Sequence, residues 1–97
     1  MKKLSLIAAA KIGIMDGHEN AIILIFKNVE SGFSGLCVQG SSVSEIFKGQ
    51  SEREPYDACR EWFSENQDGF LEVETLKLED AQVQRALQRS EQTLKDI

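Results

Sequence analysis

Six consecutive apolar residues, Ala21 to Phe26 (AIILIF), constrain this chain more than any other feature. The run is far short of the roughly 20 apolar residues a membrane helix needs. It has the length of a strand. Successive strand side chains point to opposite faces, so a strand that is apolar at every position is a central one, covered on both sides. A chain of 97 residues is one domain by length, residues 1–97. Its other elements must therefore supply the cover.

Those elements are legible from periodicity. From Leu4 to Met15 the apolar residues alternate, and Leu4, Leu6, Ala8, Ala10, Ile12 and Ile14 are expected on one face of a first strand. The turn residues DGHEN, with Asp16-Gly17, then signal a hairpin into Ala21–Phe26. KNVESGFSG reads as a connection and Leu36–Gln39 as a short third strand. Ser42 and Glu45 have capping-box spacing, which predicts a short helix over Ser42–Lys48. Pro55 is expected at the first position of the principal helix, where its missing N–H is not needed, and Asp68-Gly69 at that helix's end. A fourth strand over Phe70–Leu78 and a helix over Glu79–Ile97 complete the chain. The expected fold is α+β: a small antiparallel sheet of about four strands with helices packed on it, in the order β-β-β-α-α-β-α.

Charge divides the chain in two. The net charge is −5, and residues 51–97 carry six Lys/Arg against twelve Asp/Glu, whereas residues 1–50 are close to balance. No Lys/Arg cluster is present to neutralise phosphates, so direct nucleic-acid binding is not expected. A protein partner with a basic surface is the electrostatic complement. The opening MKKLSLIAAA has the two Lys and apolar run of a signal segment, but it continues into KIGIM as more of the same strand. With no run long enough to span a membrane, a cytoplasmic protein is expected.

In YDACREWFSE, the residues Tyr56, Cys59 and Phe63 share one helix side, and Asp57, Glu61 and Glu65 form an acidic stripe at i, i+4, i+8. Cys59 lies past the first turn between acids, which disfavour a thiolate, so it reads as a buried apolar residue rather than a nucleophile. Two cysteines, Cys37 and Cys59, are too few for a disulfide framework. His18 with Asp16 and Glu19 lacks the converging, spaced ligands of a metal site. The glycines of GFSG lack the basic neighbours of a phosphate-clamping loop. Neither a metal nor a cofactor is expected.

On the fourth strand, Glu72 and Glu74 point away from Leu71 and Val73. If that strand neighbours the principal helix, Asp57, Glu61, Glu65, Glu72 and Glu74 occupy one surface region, which reads either as a solvated face with an edge strand protected by charge or as a candidate partner-binding patch. The C-terminal helix places Val83, Leu87, Ser90, Leu94 and Ile97 at heptad spacing, which serves either to cover the sheet or to join two copies in a homodimer. The sequence thus points to a small acidic non-enzymatic binding protein, in the manner of an inhibitor, antitoxin or adaptor. Small acidic α+β proteins of phages and mobile elements, anti-CRISPR inhibitors among them, offer a class-level analogy in size and charge alone. The alternatives are a small-molecule or enzymatic domain between sheet and helices, or a structural module joined through the last helix.

Overall fold

The computed structural model describes residues 4–14, 20–65 and 71–95. The elements are β1 (Leu4–Ile14), β2 (Asn20–Asn28), β3 (Phe33–Gln39), β4 (Ser42–Val43), β5 (Phe47–Gly49), α1 (Arg53–Ser64), β6 (Leu71–Leu76) and α2 (Ala81–Lys95). Every pairing is antiparallel. The sheet runs β4-β3-β2-β1-β6, and β5 shares the outer edge of β3 with β4. The class is α+β, with six strands and two helices in place of the expected four strands and three helices.

The all-apolar β2 is central, and it divides its side chains between two cores. Ile22, Leu24 and Phe26 meet Leu36, Val38, Val83 and Ala86 on the α2 face. Ala21, Ile23 and Ile25 meet Ile12, Cys37, Cys59 and Phe63 on the α1 face. One helix on each side is the cover that a strand of this composition demands. Fully burying residues such as Leu24, Leu36 and Phe63 stabilises the fold by roughly 1.5–3 kcal/mol each.

The single-face expectation for the first strand is corrected by a bulge. Leu6 pairs with Phe26 and Ala8 with Ile25, so Ile7 is the extra residue. An extra residue reverses the alternation downstream of it. Leu4 and Leu6 consequently pack on the α2 side, while Ala8, Ile12 and Ile14 pack on the α1 side.

The short helix expected over Ser42–Lys48 is also corrected. Ser42 and Val43 pair with Gln39 and Val38, and Phe47–Gly49 pairs with Gly35–Phe33. Between them Ser44 is buried, and its Oγ accepts the Cys37 N–H at 2.9 Å and donates to the Glu45 carbonyl at 2.8 Å. Gly40 turns the chain with φ +60°, a left-handed conformation that glycine adopts without penalty. A capping box stabilises a helix only when no strand edge competes for the same backbone groups, and here the open edge of β3 takes them.

Three boundaries also shift. The GFSG stretch belongs to β3 from Phe33 onward rather than to a connection. Pro55 is the third residue of α1, not the first, and still lies in the turn where a proline costs no intrahelical bond. α2 begins after Asp80, whose carboxylate accepts the Gln82 N–H at 2.8 Å as a side-chain cap, so Leu78 and Glu79 precede the helix. The expected turn over 16–17, the helix end at 68–69, Phe70 and Ile97 lie outside the described residues.

Candidate functional site

α1 builds the first half of the predicted patch. Its inner side buries Pro55, Cys59 and Phe63, and helical geometry then turns Asp57, Glu61 and Glu65 away from the core. Glu61 and Glu65 are exposed. Asp57 is half-exposed and lies 3.6 Å from Arg53 across one helical turn. Such a solvated pair contributes a few tenths of a kcal/mol, so the stripe remains acidic.

β6 builds the second half elsewhere. It pairs only with β1 among the described residues, and the register sets Glu72 opposite Gly13, Glu74 opposite Lys11 and Leu76 opposite Ala9. Ala9 and Leu76 belong to the α2 core, so Glu72 and Glu74 share that face of the sheet. Val73 and Leu71 stand opposite Ile12 and Ile14, on the α1 face. α1 moreover lies over β2, β3 and β5, towards the other edge of the sheet. The five carboxylates therefore form two separate acidic regions, with the sheet between them. Which face β6 presents depends on its register with β1, which no local pattern encodes.

The β6 region has features that sequence reading did not single out. Lys11 reaches Glu74 at 3.8 Å, leaving Glu72 without a cation among the described residues. Gly13 contributes no side chain opposite Glu72. The result is an open depression of about 610 Å3 between Lys11, Gly13, Asn20, Glu72 and Glu74. Residues 72–75 are all exposed, and Val73, at 40%, is one of two large apolar residues exposed among the described residues. The alternation LEVETL was the available signal, since charged residues on both sides of one apolar residue are a common way of guarding an edge strand against indiscriminate pairing.

The thiols are placed for packing. Cys37 and Cys59 are free and fully buried in the α1 core. Burial pushes the Cys37 thiol up to about 12 and raises that of Cys59 further, with Cys37 nearby adding to the effect. Both are protonated at neutral pH, and a protonated thiol is a poor nucleophile. His18 lies outside the described residues. Among the described residues, no three His, Cys, Asp or Glu converge on a point where an ion could sit.

α2 turns its heptad stripe inward. Val83, Ala86 and Ser90 are buried, and Leu87 and Leu94 pack against the same core. The stripe therefore covers the sheet of its own chain. Its basic side meets the β3–β4 turn, where Arg89 Nη1 donates to the Gly40 carbonyl at 2.7 Å. No helix among the described residues is long and apolar enough to cross a membrane. No protein-family model, no curated protein and no solved structure matches this chain.

Proposed function

We propose that this protein is a non-enzymatic module that works by binding a basic surface of another protein. The observation that carries the reading is that its negative charge is not cancelled internally. Among the described residues, only Asp57 and Glu74 lie in ion pairs, at 3.6 and 3.8 Å. Glu61, Glu65 and Glu72 stand exposed, with no cation among the described residues within ion-pair distance. Uncompensated surface charge of one sign raises the association rate with a partner of the other sign and selects against acidic competitors. Inhibition is the form of action this favours, with carboxylates occupying a cationic groove that the partner otherwise offers to nucleic acid. The analogy to anti-CRISPR-type proteins rests on size and charge alone.

The test is capture from nuclease-treated lysate of the native host, at salt rising from about 0.1 to 1 M, where the screening length falls from roughly 10 to 3 Å. Wild type is compared with Asp57→Lys/Glu61→Lys/Glu65→Lys and with Glu72→Lys/Glu74→Lys. The expected result is a stoichiometric protein that wild type retains at low salt, loses at high salt, and that at least one charge reversal fails to retain. Absence of any such protein overturns the reading, and so does capture indifferent to salt and to both reversals.

A further inference from the structure

Among the described residues, β6 is a strand with one partner. Its inner edge pairs with β1 from Ala9 to Ile14, and no other described strand pairs its outer edge. The helices pack over the opposite half of the sheet, α1 on β2, β3 and β5, α2 on β2, β3 and β4. An open edge presents a row of unpaired N–H and C=O groups that another extended chain can complete. The question is which chain.

A second copy is a poor fit. Two identical strands that pair edge to edge in antiparallel fashion around a two-fold axis must match residues symmetrically about one residue. Otherwise facing side chains would point to opposite faces of the continuous sheet. Centred on Val73, the pairing sets Glu72 opposite Glu74 of the other copy, twice. Centred on Glu74, it sets Glu74 opposite itself. Centres nearer either end pair three residues or fewer of Leu71–Leu76. Every two-fold register of useful length thus places like charges directly across from one another, which destabilises a sheet.

The same two glutamates favour a strand with cations at alternate positions. We infer that the outer edge of β6 receives an extended segment of a partner protein carrying Lys or Arg two residues apart, added as one more strand of the sheet. The cations stand opposite Glu72 and Glu74, above the depression that Gly13 leaves open. The residue between them faces the other side of the sheet, next to the exposed Val73, and is apolar. Lys11 already offsets part of the Glu74 charge, so the cation opposite Glu72 contributes more. This assignment rests on the reading that the protein binds a basic partner, and specifies where and in what conformation.

The probe is a fluorescent seven-residue peptide of alternating Lys and Val, followed by anisotropy with the full chain. Two further peptides carry backbone N-methyl groups, one at the lysines and one at the valines. Only alternate residues of an added strand direct their N–H groups at the neighbour, so one methylated peptide should lose about ten-fold or more in affinity and the other little. Glu72→Lys/Glu74→Lys should weaken the unmodified peptide by about ten-fold or more, and Glu72→Gln/Glu74→Gln by less, with thermal unfolding unchanged in both. The edge assignment is overturned if the two methylated peptides bind alike, or if none of the peptides binds at millimolar concentration. It is overturned too if Asp57→Lys/Glu61→Lys/Glu65→Lys abolishes binding while the β6 variants retain it. In that last case the basic-partner reading survives on α1, so the two failures are distinguishable.

Discussion

Gly35 lies directly beneath Pro55. A Cβ added at Gly35 would stand 2.9 Å from the Pro55 Cβ, 2.9 Å from Ile25 Cδ1 and 3.2 Å from the Leu24 carbonyl oxygen. The missing side chain lets the first turn of α1 sit against β3, and through that contact α1 aims Cys59 and Phe63 at the core and its carboxylates at solvent. Gly35→Val should therefore destabilise the protein by about 1–3 kcal/mol, the usual effect of forcing atoms into a packed interface. Urea unfolding followed by circular dichroism measures it. A loss below about 0.5 kcal/mol would show that α1 can lift off β3 freely.

Ser44 and Ser42 offer a paired test of the β4–β5 segment. Removing the buried Ser44 hydroxyl leaves the Cys37 N–H without its side-chain acceptor, so Ser44→Ala should cost about 1–3 kcal/mol. Ser42 is exposed on a two-residue strand, and Ser42→Ala should cost under about 0.5 kcal/mol. The reverse ranking in urea melts would restore a helix capped by Ser42.

The buried thiols make stability fall in alkali. The folded Cys37 value, about 12, lies above the ordinary value of 9.0, and Cys59 shifts in the same direction. Between those values the unfolded chain has given up protons that the folded chain still holds, so raising the pH favours unfolding. The thiol contribution is complete below about pH 8.5 and declines towards pH 12. Urea midpoints at pH 7, 9 and 10 should decrease in that order, and a Cys37→Ala/Cys59→Ala variant should decrease less steeply.

Charge at β6 should set whether two copies can pair through this edge. Glu72→Lys alone turns the register centred on Val73 into two Lys–Glu pairs, because residue 72 then faces Glu74 of the other copy. Sedimentation equilibrium should show this variant associating more strongly than wild type, and Glu72→Lys/Glu74→Lys should show no such gain. Equal behaviour of all three would mean that β6 edges do not meet.

Local chemistry explains which parts of this fold were readable. The strand character of Leu4–Ile14 and Ala21–Phe26, the inner side of α1 and the covering stripe of α2 all follow from periodicities that a single element must satisfy to bury its apolar residues. The Ile7 bulge was hidden because one extra residue keeps every letter of the alternation and changes only what each letter faces. The helix expected over Ser42–Lys48 gives way for a similar reason, since the capping box is a signal within four residues and the strand edge that competes for them lies outside it, on Phe33–Gln39.

The sequence alone therefore determined an acidic α+β protein with a central two-sided strand and with Phe26, Phe63 and both thiols inside. Composition and spacing act through local backbone preference and through each element's need to bury its own apolar residues, and both are set by residues close together in the chain. Tertiary structure decided that Glu72 and Glu74 lie across the sheet from Asp57, Glu61 and Glu65, and that β6 ends the sheet of the described residues with one edge unpaired. Those are matters of strand register and strand order. They depend on which distant residues pair with β1, and a register shifted by one residue would have reversed the face of every side chain on β6.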